Sequence, residues 1–156
     1  MFFLKTLPTR EILESYANRF PMMDVEVVAE ALSMLRSASL LLRKLESYFG
    51  DHGLSQTRFL ILILIDREPG KAGLTATELV HQLDISKPVV SNTIKAMVGE
   101  GLLTPLPHPS DARSRLFQLT EAGKRRLDAL MPGYYELIQA HMASDDFTPS
   151  EAEVGD

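Results

Sequence analysis

The chain has no cysteine. That excludes disulfide scaffolds, thiol catalysis, thiolate zinc sites and peroxide sensing through a reactive thiol. Long apolar runs are lacking too: the longest, Phe59 to Ile65, falls far short of the roughly 18 residues of a membrane span. The opening Met1-Phe2-Phe3-Leu4 is too short for a signal-peptide core, and Lys5 interrupts it. The expected location is therefore the cytoplasm, with no membrane partner. Catalytic signatures are also missing. His52, His81, His108 and His141 are scattered without H-x-x-x-H or H-x-x-E spacing, and no G-x-S-x-G, P-loop or G-x-G-x-x-G occurs. The paired Asp145-Asp146 sit in an expected loop, where solvation explains them. The expectation is no enzyme, no cofactor and no resident metal. A metal-sensing site stays as an alternative, because His and Glu ligands from distant segments can converge in space.

Basic charge is scarce as well. Twenty-one acidic residues against 16 basic ones leave a net charge of −5, which as a bulk property disfavours a polyanionic partner. What is present is an ordinary globular composition, 45% hydrophobic and 24% charged over 156 residues, enough for one core with appendages.

Periodicity organises the chain into helices. Thr9 to Phe20 carries Ile12, Tyr16 and Phe20 at intervals of four, a narrow stripe bracketed by Pro8 and Pro21. Alone it is too short to be stable in water, so it is expected to dock through that stripe. From Asp24, an N-cap, to Phe49, apolar residues recur at Val28, Ala31, Leu35, Ala38, Leu42, Leu45 and Phe49, a heptad rhythm. A helix with that face needs a large partner surface, its own core or a second chain. Phe59 to Ile65 is ambiguous: alternating isoleucines and short length favour a buried strand, whereas the lead-in Ser55-Gln56-Thr57-Arg58 favours a helix start.

Thr75-Ala76-Thr77-Glu78 is a capping box opening a short helix with Leu79, Val80 and Leu83. Ser86 caps a second helix running to about Gly99. From Leu102 to Leu119 the chain reads as a two-stranded ribbon around the polar tip His108 to Arg113. Pro105 and Pro107 lie two apart, so a free outer edge of the ribbon tolerates them. Thr120-Glu121 opens a last long helix to about Ala143, which Pro132-Gly133 should kink. Thr148-Pro149-Ser150-Glu151 is a further helix start with only five residues after it.

Two short helices and then a ribbon make a winged helix-turn-helix. The first helix braces the second, which presents its polar face to the major groove. Val90, Ile94 and Met97 point inward; Ser86, Lys87, Pro88, Ser91, Asn92 and Lys95 form the other face, which offers no large apolar residue to block groove entry. Ser and Asn can read base edges or phosphates, and Lys supplies charge. Arg113 and Arg115 at the wing are placed to reach the adjacent minor groove. The pattern alone is equally met by two surface helices and a hairpin whose Lys87, Asn92 and Lys95 are merely solvated.

Thr75 to Gly123 resembles the MarR family of bacterial transcription regulators. The residues that carry this are Thr75-Ala76-Thr77-Glu78-Leu79, Ile85-Ser86-Lys87, Gly101-Leu102, the wing pattern Asp111-Ala112-Arg113-Ser114-Arg115 and Leu119-Thr120-Glu121-Ala122-Gly123. The resemblance extends over about Met22 to Glu151. It implies a mainly α fold: a winged helix-turn-helix with a small two-stranded β wing and a helical dimerisation region from both chain ends. It further implies that Phe59 to Ile65 is helical, and that a homodimer binds a palindromic double-stranded DNA operator, acting as a repressor. The implied domains are 1–54 for dimerisation, 55–119 for DNA binding and 120–156 for dimerisation. The family's roles pass to Asp111, which orients the wing, and Arg113, which contacts DNA. Relatives often bind small aromatic or anionic effectors between the dimer helices and the DNA-binding lobes; here Arg36, Tyr48 and Arg58 are the residues that could meet a carboxylate.

Three features depart from the family pattern. The first wing strand is Thr104-Pro105-Leu106-Pro107 rather than arginine-bearing, and the recognition helix holds two lysines and no arginine, so modest, salt-sensitive affinity is expected. With the chain stopping at Asp156, the helix Thr9 to Phe20 and the heptad face are expected to supply the dimer contact. The alternative is a winged-helix protein-interaction scaffold without specific DNA binding. Charge partition favours DNA. Lys71 to Arg126 holds eight basic and five acidic residues, a net of +3; the remainder holds eight and 16, a net of −8. The acidity belongs to the body, and the segment with the reading helix is basic.

Overall fold

The computed structural model describes residues 4–68, 70 and 72–144; the expected helix start at Thr148 lies outside them. In chain order the elements are α1 (Arg10–Arg19), α2 (Val25–Asp51), α3 (Gln56–Asp66), β1 (Leu74–Thr75), α4 (Ala76–Gln82), α5 (Lys87–Gly99), β2 (Leu103–Pro107), β3 (Arg115–Leu119) and α6 (Glu121–Ala143). The chain divides into two compact units, Met1–Leu45 with Tyr135–Asp156, and Glu46–Tyr134. Both α2 and α6 contribute to each.

The Glu46–Tyr134 unit, the lobe, is built around α3. Phe59, Ile61, Leu62, Leu64 and Ile65 are all buried, so this helix is covered on several faces, and the apolar run that reads locally as a strand is a core helix. Its start is fixed by Ser55, whose hydroxyl accepts from the Arg58 N–H. The Phe59 ring stacks on Phe49 at 4.5 Å between centroids and meets Tyr134 at 4.8 Å.

The wing is more than a two-stranded ribbon. β2 pairs antiparallel with β3, from Leu103 opposite Leu119 to Pro107 opposite Arg115, and β1 pairs with the other edge of β3, Leu74 opposite Phe117. The sheet order is therefore β1-β3-β2, which corrects the two-stranded expectation. Only β2 is left as an edge on the wing side, and both prolines lie on it.

The Leu119-Thr120-Glu121-Ala122-Gly123 segment locks the wing to the start of α6. The Thr120 hydroxyl donates to the Gly101 carbonyl at 2.6 Å and accepts from the Gly123 N–H at 3.0 Å, while the Thr120 N–H donates to the Leu102 carbonyl at 3.1 Å. A side chain at Gly123 would collide with that same carbonyl, so only glycine fits.

The other unit, the arm, is different in kind. α1 follows Thr9, whose hydroxyl caps it, in the segment expected to be helical, but Leu13 is its buried residue, and Ile12, Tyr16 and Phe20 remain about half exposed. The stripe expected to dock is thus solvent-facing within this chain. On α2, which begins at Asp24 with the carboxylate accepting from Val27 N–H at 3.1 Å, the heptad stripe splits. Leu45 and Phe49 are buried; Ala31, Leu35, Ala38 and Leu42 are exposed. Within the arm the buried residues of α2 include Ser33, Ser37 and Ser39. Ser37 Oγ lies 3.0 Å from Nε2 of the buried His141, and Lys44 Nζ lies 3.2 Å from its Nδ1. An ammonium can only donate, so His141 Nδ1 is the acceptor of that pair and Nε2–H donates to Ser37.

Candidate nucleic-acid interface

The site is assembled by α4, α5 and the wing, all within the lobe. Thr75 and Glu78 form the capping box: Glu78 N–H donates to Thr75 Oγ1 at 3.1 Å, and Thr75 N–H donates to Glu78 Oε2 at 2.8 Å. This fixes the start of α4, whose Leu79 is buried and braces the next helix. Along α5, Val90, Ile94 and Met97 are buried at spacings of four and three. Pro88, Asn92 and Lys95 are exposed on the opposite side, with Ser91 half-buried, and Lys87 is exposed at the first helical position. Ser86 precedes the helix in extended conformation and its hydroxyl makes no capping bond, so that hydroxyl is available at the helix N-terminus.

The wing converges on the same place. A hollow of about 440 Å³ is lined by Ser91, Asn92 and Lys95 of α5 and by Arg115 of β3, over a floor that includes Pro105 and Phe117. At the tip, Asp111 accepts from the Arg113 N–H at 2.9 Å through its carboxylate, and its carbonyl accepts from the Ser114 N–H at 3.0 Å. These two hydrogen bonds to Asp111 close the turn and leave the Arg113 guanidinium exposed.

Electrostatics sharpen the picture. Lys124 is held by Asp66 at 2.7 Å and Asp128 at 3.4 Å, and the bond to Asp66 raises its pKa above the ordinary lysine value. Arg126 donates to the His52 carbonyl. Lys87, Lys95, Arg113 and Arg115, by contrast, have no hydrogen-bond or ion-pair partner among the described residues. The uncommitted cations of the reading segment therefore include all four that lie on α5 and the wing.

The three residues considered for an effector each have an intramolecular partner. Arg36 donates to the Leu4 carbonyl at 3.0 Å within the arm. In the lobe, the Tyr48 hydroxyl donates to the Leu130 carbonyl at 2.8 Å, and Arg58 forms a two-pronged pair with Glu100 at 2.8 and 2.7 Å. Among the described residues no three His, Asp or Glu side chains converge as metal ligands, and no helix is long and apolar enough to cross a membrane.

Comparisons with known proteins agree with this geometry. The model of the MarR family matches residues 52–114. The transcriptional regulator AdcR of Streptococcus pneumoniae is 30% identical over 102 residues, covering 65% of this chain and 67% of its own. The chain belongs to the MarR family. A second relative, the transcriptional repressor YetL of Bacillus subtilis, is 28% identical over 140 residues, covering 89% of this chain and 83% of its own. The fold matches that of a MarR family regulator from Streptomyces coelicolor solved in complex with DNA, with a TM-score of 0.63 at 24% identity over 70% of this chain and 71% of that one. This MarR-family chain is a transcription regulator.

One residue on its reading helix escaped the sequence pattern. Val89, in the first turn of α5, is 47% exposed, which corrects the expectation that this face carries no large apolar residue. The signal was there: Val89 precedes the buried Val90, so the two cannot share a face.

Proposed function

We propose that the protein is a repressor that binds a palindromic double-stranded DNA operator as a homodimer. Residues 55–119 read DNA, and the flanking 1–54 and 120–156 carry the dimer contact. Ser86, Lys87, Pro88, Ser91, Asn92 and Lys95 meet the major groove, Arg113 and Arg115 reach the backbone and minor groove, and Asp111 holds the wing. The observation that carries this is that four unpaired cations lie on α5 and the wing, two of them, Lys95 and Arg115, sharing one hollow with an uncommitted Asn92, while other basic residues of the lobe such as Lys124 and Arg126 are engaged elsewhere. The dimer assignment draws on the exposed stripe of Leu35 and Leu42 on α2 and of Ile12, Tyr16 and Phe20 on α1. Release by a small aromatic or anionic effector at Arg58 belongs to the same proposal, and would require that guanidinium to leave Glu100.

The test is a mobility shift with the DNA upstream of the protein's own coding region at two salt concentrations. Specific binding falls steeply with salt, and Lys87→Ala and Arg113→Ala each weaken it without unfolding the protein. No shift at low salt overturns the proposal in favour of a winged-helix scaffold that binds protein.

A further inference from the structure

The lobe hides its large apolar side chains with one exception among the described residues, and that exception lies on the reading helix. Val89 is 47% exposed, whereas Val90, next in sequence, is fully buried. Its setting is polar and cationic. Lys87 and Pro88 complete the first turn, Asn92 follows at three residues' spacing on the same side, and Lys95 lies a further turn along. The next polar side chain, Thr93, is not available for reading, because its hydroxyl donates to the Val89 carbonyl at 2.8 Å. The outward surface of the first two turns is therefore an amide next to an isopropyl group, flanked by cations. The isopropyl group is also stiff, since a β-branched side chain in a helix is held near one χ1 rotamer.

An exposed valine has no use for phosphate or for water. In the major groove, the apolar feature of the base edges is the C5-methyl of thymine, and the group an Asn pairs with in two bonds is the N6/N7 edge of adenine. From this juxtaposition we infer that Val89 determines operator specificity by contacting a thymine methyl, beside an adenine read by Asn92. Each half-site then contains A·T pairs at the positions under the first two turns of α5. The inference rests on the DNA-binding reading above and deepens it.

Thymine replaced by deoxyuridine loses the methyl and keeps the hydrogen-bonding edge, so it isolates this contact. The full chain is first used to select binding sites from random duplex DNA at low salt. Each thymine of the selected site is then replaced in turn by deoxyuridine, and affinity is measured for the native protein and for Val89→Ala. At one thymine per half-site the native protein is expected to lose about 3- to 5-fold, the worth of one methyl group. Val89→Ala should show a similar loss on the thymine site and no response to the uracil at that position. Helix content by circular dichroism checks folding, which an exposed Val-to-Ala change in a helix should not harm. A uracil scan that is flat, or that has the same profile in both proteins, overturns the inference alone. A selection that enriches no sequence overturns it together with the reading it rests on.

Discussion

The lobe and the arm treat their apolar residues in opposite ways. Among the described residues, 16 of the 18 buried hydrophobic side chains lie in Glu46–Tyr134, and 11 of the 12 large exposed ones lie in the arm. The buried polar residues Ser33, Ser37, Ser39 and His141 are all in the arm. A unit that leaves Ile12, Phe20, Leu35 and Leu42 in water while enclosing serines does not hold itself together by its own core. The lobe does. The contrast assigns the two units different debts: the lobe's stability is internal, and the arm's depends on what covers it.

The largest effect expected from this contrast is in the lobe. Phe59→Ala removes a ring that stacks on Phe49 and packs against Tyr134 and should cost about 3–5 kcal/mol, read as a lowered midpoint in denaturant unfolding. A loss below about 1 kcal/mol would mean that the lobe core collapses around the gap and is not the rigid unit inferred. Leu35→Asp should barely change the unfolding of an isolated chain, yet light scattering should show the proposed dimer dissociating. Operator affinity should fall by about 100-fold or more as the two heads lose their linkage. Deleting residues 1–20 probes the same surface from α1, and a dimer that stays intact and salt-stable without them would remove α1 from the interface.

How much of this was legible in the sequence follows from how local each cause is. Caps and boxes at Asp24, Ser55 and Thr75 involve residues within three positions of each other, and the helices start where those residues say, as α5 does after Ser86 although its hydroxyl makes no capping bond. The wing turn at Asp111 is equally local. What was not legible depends on distant partners. The two-residue β1 exists because Gly73 lets the chain come against the Phe117 carbonyl, where a side chain would collide, and no two-residue pattern announces that. The helical state of α3, ambiguous in the local pattern and implied only by the family resemblance, reflects burial on several faces, which overrides the β preference of alternating isoleucines. Arg58, a candidate to meet an effector carboxylate, is held by Glu100, 42 positions away. Similarly, a periodic stripe does not say which face is covered, and α1 buries Leu13 rather than Ile12.

A smaller effect separates cations within the lobe. Arg115 lines the hollow beside α5, whereas Arg125 lines another hollow together with Glu100, Ala122 and Ala129. Arg115→Ala should lower operator affinity by roughly tenfold and reduce the slope of log affinity against log salt by about 1, the signature of one lost phosphate contact. Arg125→Ala should leave both unchanged. Equal losses in the two variants would indicate that net charge, not placement, drives binding.

The smallest effect is electrostatic and compares one cation in each unit. Arg10 bridges Glu14 on its own helix, at 3.0 Å, and Glu26 on α2, at 2.5 Å; Lys124 bridges Asp66 on α3 and Asp128. In both, hydrogen bonds to carboxylates raise the pKa above the ordinary value, those of Glu26 and Asp66 respectively being the largest cause. A raised pKa means that the folded state holds the proton more tightly. The stabilisation is complete below the unfolded value, 10.5 for lysine, and is lost as pH climbs through the folded one. Because a guanidinium keeps its proton throughout that window, only the lobe should respond. Both cations are surface-exposed, so salt screens both pairs and the effects are small. Thermal unfolding of Lys124→Met and of Arg10→Met should each show a slight deficit against the native chain at pH 8. As pH is raised beyond 10.5 the Lys124→Met deficit should narrow while that of Arg10→Met persists. A Lys124→Met deficit that does not change as pH rises would trace to packing of the lysine stem, and the ion pair to Asp66 would then contribute nothing to holding α6 against α3.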